Sequence, residues 1–361
     1  MENPYIHLAN PRTLRRCKRL IKKGELVSFP TETVYGLGAN ALNPQAVRMI
    51  FEWKGRPANN PVIVHFSKIE QLANITKLTP LEMKAMLAIG KECWPGPLTL
   101  VLRASDIVPV EVTAGKNFVG VRMPCDSVAL ALINASQCLI AAPSANISGH
   151  CSPYTAEHVV DDFYNKNLMI LADSENISER CGIESSVMKL EEVDSELLKI
   201  TVLRTGFIGG KRITRILKNA NISCILEYYD RLAKEDTPMD CPGQLFRHYA
   251  PKIPAYIEDD NSLQKISLKE LNHMVLIGAN GSLSELSKKC LRYYDLGVSV
   301  LDVAKNIYSI LRLAEQEPFA TRIIISVKNL KELDDKESDL DKAIKDKLLR
   351  CSEGQTIRIL H

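Results

Sequence analysis

The chain has 361 residues, 45% hydrophobic and 25% charged, which is the balance of a soluble globular protein and suggests about two domains at roughly 150 residues each. That balance excludes wholesale disorder, and no apolar run approaches the ~20 residues a membrane helix needs. A formal net charge of +3, from 46 basic and 43 acidic residues, excludes a protein that coats nucleic acid along its whole surface. The charge is unevenly spread: residues 1–100 carry 14 Lys/Arg against 7 Asp/Glu, and residues 151–200 carry 4 against 11. Arg12, Arg15, Arg16, Lys18, Arg19, Lys22 and Lys23 crowd one segment, so a local basic field suited to an anionic ligand is expected, with a solvated helix face explaining part of it. The opening Met-Glu-Asn-Pro-Tyr has neither a basic start nor an apolar stretch, which points to a cytoplasmic protein. Ten cysteines without a C-x-x-C pair fit reduced thiols better than a zinc ribbon.

In chain order, Leu14, Cys17, Leu20 and Ile21 recur at helical spacing over 13–23, and Gly24 ends that helix. A short strand at 26–29 follows. Next come a helix at 44–53, a strand at 62–66, a helix at 80–91, strands at 98–102 and 119–123, and a helix at 126–135. A strand at 139–142, a helix at 155–164, strands at 169–172, 186–190 and 198–203, and a helix at 210–218 complete the first part. Several strands follow one another directly, favouring a twisted mixed α/β sheet over a doubly wound parallel one. Residues 228–254 contain Pro238, Pro242, Pro251 and Pro254 with little periodicity, and read as a linker. Beyond it, a strand at 274–277, helices at 282–290 and 298–315 and a strand at 322–327 form a smaller α/β unit, and 328–350 reads as a solvated helix.

Three segments carry chemical content. Pro30-Thr-Glu-Thr-Val-Tyr-Gly-Leu-Gly38 offers two hydroxyls, a carboxylate and permissive glycines directly after a strand, and is either a ligand-holding loop or a tight turn. Trp53-Lys-Gly-Arg-Pro57 ends a helix, where Lys54 and Arg56 either complement the helix dipole or form a cationic clamp for phosphate or carboxylate oxygens. Ala142-Pro-Ser-Ala-Asn-Ile-Ser-Gly149 follows a strand and can cap the next element or hold an anion on its amides. Arg122, Gly182-Ile-Glu-Ser-Ser186 and Arg204-Thr-Gly206 are weaker signals. Gly206–Arg212 lacks the spacing of a Walker loop, Gly278–Gly281 is not G-x-G-x-x-G, and the seven histidines form no H-E-x-x-H, so no protein-held metal is expected.

Taken together, PTETVYGLGANA, KGRPANNPV, CWPGPLTLVL, VGVRMP, IAAPSANISG, GIESSV and LRTG resemble the YrdC/Sua family, the threonylcarbamoyl-AMP synthases of tRNA modification. Pro242-Gly-Gln-Leu-Phe-Arg-His-Tyr-Ala-Pro251 resembles the linker of the longer, two-domain Sua type. The resemblance spans about residues 10–255. It implies a YrdC-type catalytic domain over 1–220, a linker over 221–254 and a Sua-type, Rossmann-like C-terminal domain over 255–361. The implied reaction joins L-threonine, bicarbonate and ATP into L-threonylcarbamoyl-adenylate and pyrophosphate, for transfer to adenosine 37 of ANN-decoding tRNAs, a nucleotidyltransferase activity. By motif match, Lys54, Arg56, Ser144 and Asn146 would hold the ATP phosphates and the reacting carbamate. Thr33, His65, Arg122 and Ser185 would bind threonine, and Asn60, Ser152 and Arg204 would contact ATP. Phe118 would do so through its backbone, and Tyr249 or His248 would reach the pocket from the linker. Mg²⁺ is implied, held mainly by ATP oxygens and water, with a downstream tRNA threonylcarbamoyl transferase as partner and a weak contact to tRNA or double-stranded RNA. Two departures from the family pattern, Ser186 in Glu184-Ser-Ser186 and Thr205 in Arg204-Thr-Gly206, keep the chemistry expected of their positions. Removal of Lys54 or Arg56 is expected to abolish turnover and leave the fold intact, on the premise that both are exposed. Two other readings are an RNA-binding module built on the basic segment and a carbamoyl transferase acting on another acceptor.

Overall fold

The computed structural model describes residues 3–173, 180–229, 249–258, 266, 268–330 and 338–357. The chain divides into two compact units. The first is built mainly from residues 1–148 and 153–244, and the second mainly from 245–334 and 340–361 together with the short segment 149–152.

The first unit opens with β1 (Ile6–Leu8) and α1 (Pro11–Lys23), which Asn10 caps by accepting from the Arg12 and Thr13 amides and Gly24 closes at φ 85°. Then follow β2 (Val27–Phe29), β3 (Gly36–Asn40), α2 (Pro44–Lys54), β4 (Ile63–His65), α3 (Leu72–Ile75) and α4 (Pro80–Cys93). After these come β5 (Leu98–Arg103), α5 (Val110–Thr113), β6 (Phe118–Arg122), α6 (Ser127–Ser136), β7 (Ile140–Ala141), α7 (Ala156–Phe163) and β8 (Met169–Ala172). The unit ends with β9 (Ser186–Asp194), β10 (Leu197–Arg204), α8 (Gly210–Asn219) and β11 (Ser223–Tyr228). Its strands form one mixed sheet in the order β1-β8-β2-β3-β7-β4-β6-β5-β9-β10-β11, as the run of directly successive strands implied. Residues 223–228, expected in the linker, are instead the last strand of this sheet, paired in parallel with β10.

Two apolar layers cover the sheet. One is built on residues such as Ile50, Phe66, Met86, Leu100 and Val121, and the other on Cys17, Ile21, Phe29, Leu132 and Ile140, where α1 and α6 pack. The Pro30–Gly38 segment, read as a loop or tight turn, ends in a strand from Gly36 onward. Glycine-rich β3 has little intrinsic strand preference, yet it pairs with β2 and β7 because Phe29 needs the space beside it. A Cβ on Gly38 would lie 2.6 Å from Phe29 Cε1.

The second unit holds β12 (Ala255–Glu258), α9 (Leu268–Leu271), β13 (Met274–Gly278), β14 (Arg292–Asp295), α10 (Val300–Gln316), β15 (Arg322–Ser326), α11 (Leu340–Cys351) and β16 (Thr356–Ile357). The sheet order β14-β13-β15-β12-β16 is parallel throughout, the Rossmann-like arrangement expected for this part. Two expectations fail here. The helix expected at 282–290 is only a 3₁₀ turn, Ser284–Leu286, because Asn280, Gly281 and Leu283 all take positive φ and block helix initiation. The expected solvated helix at 328–350 starts at Leu340 and is half buried: Leu340, Ala343, Ile344, Leu348 and Cys351 face the interior at helical spacing, a stripe masked by alternating charge.

Candidate active site

The loop after β2 is folded by its own hydroxyls. Thr31 Oγ1 donates to the Val34 carbonyl at 2.7 Å, and its oxygen accepts from the Thr33 and Val34 amides at 3.2 Å. This presents Glu32 and Thr33 to the end of β6, where Arg122 Nη2 donates to Glu32 Oε1 at 2.7 Å and to Thr33 Oγ1 at 3.0 Å. The far oxygen of Glu32 accepts from the Cys125 amide at 3.2 Å, and the Glu32 carbonyl accepts from the Cys181 amide at 2.6 Å. His65 pairs with Arg122 in the parallel β4–β6 register, so the two side chains emerge side by side on one face. Both are buried, and among the described residues Arg122 Nε and His65 Nδ1 have no hydrogen-bond partner. Burial, joined by the Arg122 charge, pushes the imidazole down to about 3, so the ring is neutral. Buried polar groups are nearly always satisfied, and two orphaned nitrogens on residues at paired strand positions make this a candidate place for an external polar group.

A second cluster forms around the Pro143–Asn146 turn. Leu37 N donates to Pro143 O at 2.9 Å and Ala145 N to Tyr35 O at 2.8 Å, zipping this turn to the segment that follows the first loop. Lys54, in the last turn of α2, aims its ammonium into the turn and donates to the carbonyls of Ser144, at 2.6 Å, and Asn146. Arg56 donates from Nε to Asn60 O at 3.1 Å and from Nη2 to Asn60 Oδ1 at 2.5 Å and Pro61 O at 2.8 Å. Lys54 is 1% exposed and Arg56 8%, which corrects the premise that they are exposed side chains whose loss the fold would not notice.

The third cluster is carried by β5, β6, Ser185 just before β9, and the end of β10. Ser185 Oγ lies 2.8 Å from Thr99 Oγ1, and Arg204 donates from Nε to Ser185 O at 2.9 Å and from Nη2 to Ser185 Oγ at 3.1 Å. Gly206 follows because a Cβ there would meet Ser186 N at 2.7 Å. Phe118 opens β6 beside a small pocket that Ile63, Thr99, Gly120 and Lys189 also line, and Lys189 Nζ lies 3.8 Å from its ring centre.

The first unit thus brings together Thr33, His65 and Arg122; then Lys54, Arg56, Asn60, Ser144 and Asn146; then Phe118, Ser185 and Arg204. Ser152 and Tyr249 belong to the second unit. There the Tyr249 ring lies 5.5 Å from that of Tyr308, with Lys347 Nζ 4.3 Å from its centre, and its carbonyl accepts from Cys151 Sγ. His248 lies outside the described residues. The sequence offers the Glu32 carboxylate only as part of a possible ligand-holding loop and gives Thr99 no role, since neither spacing nor composition shows which neighbour will hold Arg122 or Ser185. Among the described residues no group of three or more His, Cys, Asp or Glu could hold a metal ion, and no helix is long and apolar enough to cross a membrane.

Comparison with known proteins gives this geometry its context. Residues 19–206 match the family model described as "Telomere recombination", and residues 208–352 match the model described as "Threonylcarbamoyl-AMP synthase, C-terminal domain". The threonylcarbamoyl-AMP synthase of Pyrococcus abyssi is 40% identical over 305 residues, covering 83% of this chain and 84% of the relative. That of Bacillus subtilis is 39% identical over 249 residues, covering 69% of this chain and 67% of the relative. The crystal structure of Pyrococcus abyssi Sua5 complexed with L-threonine superposes with a TM-score of 0.78 at 34% identity, covering 99% of this chain and 98% of that one. The site clusters sit on the domain that the first of these models describes, the parallel five-stranded unit falls within the second, and the chain belongs to the two-domain, Sua-type family of threonylcarbamoyl-AMP synthases.

Proposed function

We propose that the chain catalyses ATP-dependent synthesis of L-threonylcarbamoyl-adenylate from L-threonine and bicarbonate with release of pyrophosphate, a nucleotidyltransferase reaction. Its product would serve a downstream tRNA threonylcarbamoyl transferase acting on adenosine 37 of ANN-decoding tRNAs. The observation that carries the reading is the pair of orphaned buried nitrogens, Arg122 Nε and His65 Nδ1, on adjacent strands, with Arg122 held to the Thr33 hydroxyl through Nη2. A guanidinium edge suits an amino-acid carboxylate, and a neutral imidazole next to hydroxyls suits the polar side chain of threonine. Ser185, fixed by Thr99 and Arg204, offers a further hydroxyl to the same amino acid.

In this mechanism the threonine amine adds to bicarbonate with loss of water to give a carbamate. A carbamate oxygen then attacks the α-phosphorus of ATP, the bond to the β-phosphate oxygen breaks, and pyrophosphate leaves. No side chain forms a covalent bond, so the protein contributes position and charge. Lys54, Arg56, Ser144 and Asn146 hold the phosphates and the carbamate, while Asn60, Arg204 and the backbone of Phe118 fix the nucleotide. Mg²⁺, carried by the triphosphate oxygens and water, would screen phosphate charge. A protein-held ion fits less well, since Glu32, the carboxylate of the threonine subsite, is already engaged by Arg122 and the Cys125 amide. The test is pyrophosphate release by purified protein. Release only when ATP, threonine and bicarbonate are all present is expected, and release without threonine would overturn the assignment.

A further inference from the structure

Arg180 is a buried cation that the proposed reaction does not use. It is 4% exposed, and among the described residues no carboxylate lies at ion-pair distance from it. Asp126, the cap of α6, feels the Arg180 charge only from farther off. Enclosing a guanidinium without such a partner costs stability. Arg180 is therefore not ordinary core filling, and breaches of this kind concentrate where a site requires them.

Three segments of the first unit meet at this residue and its neighbour. The guanidinium carbon lies 5.1 Å from the centre of the Tyr35 ring, two residues beyond Thr33, and Nη1 donates to the Tyr154 carbonyl at 2.9 Å. The next residue, Cys181, donates its amide to the Glu32 carbonyl at 2.6 Å. Tyr35 is itself fixed on both sides of its backbone: its amide donates to Pro153 O at 2.9 Å, and its carbonyl accepts from the Ala145 amide at 2.8 Å. The contact with Arg180 is electrostatic as well as steric, because the cation offsets part of the burial that pushes the Tyr35 phenol up to about 12. Past Cys181 the chain reaches Ser185, which Arg204 grips from Nε and Nη2. Residues 180–185 are thus pinned at both ends, on Tyr35 and Glu32 at one and on Arg204 at the other. A planar guanidinium offers its face to the ring and its N–H edge to a carbonyl, whereas an apolar side chain of similar bulk offers neither charge nor donor.

We propose that Arg180 is a positioning residue of the threonine subsite: stacked on Tyr35 and tied to Tyr154, it holds residues 180–185 against the loop of Glu32 and Thr33, so that Ser185 and Thr33 present their hydroxyls to the same amino acid. The inference rests on the proposed synthase reaction. It concerns threonine rather than the nucleotide, because Lys54 and Arg56 are held by bonds to 144–146 and 60–61 in which Arg180 has no part.

The experiment is steady-state pyrophosphate release by the full chain, with a urea unfolding curve for each protein: wild type, Arg180→Met, Arg180→Lys, Tyr35→Leu and the double variant Arg180→Met, Tyr35→Leu. Arg180→Met keeps the bulk and removes the charge and the donor. It should raise KM for threonine about tenfold and leave KM for ATP within about threefold of wild type. Its urea midpoint should stay close to wild type or above it, since a buried charge without an ion-pair partner is gone. A purely structural role predicts lost stability with both KM values moving together. Arg180→Lys, which keeps a cation for the ring, should recover part of the threonine KM. The double variant should be no worse for threonine than the worse single variant, because both changes break one contact. An unchanged threonine KM in Arg180→Met, an equal rise in both KM values, or rises that multiply in the double variant would overturn the proposal. Should Arg180→Met fail to fold, the same comparison of the two KM values in Arg180→Lys and Tyr35→Leu decides it. Failure of the synthase reading appears separately, in wild type itself, as threonine-independent pyrophosphate release.

Discussion

Arg122 and His65 stand at directly paired positions of two parallel strands, and each keeps one buried nitrogen without a partner among the described residues. The pairing makes a permanent cation and a neutral imidazole neighbours, and fixes how the site responds to acid. Burial first, then the Arg122 charge, hold His65 near 3, below the value of about 6.5 it takes in the unfolded chain. Between those values the unfolded chain binds the extra proton. The stability contributed by neutral His65 is therefore complete above about pH 6.5 and is lost as pH falls toward 3. Urea unfolding of wild type and His65→Gln at pH 7, 5.5 and 4.5 should show wild type losing stability faster, the difference approaching about 1.4 kcal/mol per pH unit. Parallel curves would show that His65 is not held neutral.

Arg122 serves Glu32 and Thr33 through one terminal nitrogen, and its Nε has no partner among the described residues; in the proposed reaction that nitrogen faces the threonine carboxylate. A lysine at this position ends in one compact ammonium and lacks the spread, planar fork with which the guanidinium can serve the loop through Nη2 and a carboxylate through Nε. Arg122→Lys should raise KM for threonine at least about tenfold, a loss of roughly 1.4 kcal/mol. KM for ATP should change little, and an equal rise in both would place Arg122 outside the threonine subsite.

Lys54 lies inside the fold as well as in the proposed site. Its ammonium donates to two carbonyls of the Ser144–Asn146 turn, so Lys54→Met strands buried acceptors at the same time as it removes a charge. The expected result is a loss of about 1–3 kcal/mol in unfolding free energy together with a fall in turnover of at least about 100-fold. Urea titration and pyrophosphate release measured on the same preparation check both, and loss of activity without loss of stability would mean that the turn does not depend on this side chain.

Much of this architecture is legible in the residues alone. The helix over 13–23 is announced by its apolar spacing and closing glycine, and the end of α2 by Gly55, which closes it at φ 60°. The half-buried α11 was hidden because Lys347 and Arg350 occupy interior positions at which an apolar residue is the ordinary signal. Strand β3 was hidden because Gly36 and Gly38 read as loop, and only the bulk of Phe29 across the sheet explains them. Glu32 lay in plain sight, but its role depends on Arg122, 90 residues away in the chain. Contacts at that separation leave no local pattern.

The same reasoning makes Gly38 a test of how packing reaches the chemistry. A Cβ there would lie 2.6 Å from Phe29 Cε1 and 2.9 Å from Ile140 Cγ2, closer than real contacts allow. Phe29 cannot retreat freely, because its ring meets His65 edge-on at 6.1 Å between centroids. Gly38→Ala should therefore cost about 1–3 kcal/mol by overpacking and, by displacing Phe29 against the imidazole, also weaken threonine binding. Phe29→Leu shortens the clashing side chain, so the double variant should be more stable than the sum of the two single losses, with part of the threonine affinity recovered. Urea midpoints and threonine KM for the two single variants and the double variant settle the matter: strictly additive losses would mean that Gly38 and Phe29 do not communicate and that His65 is positioned by its strand alone.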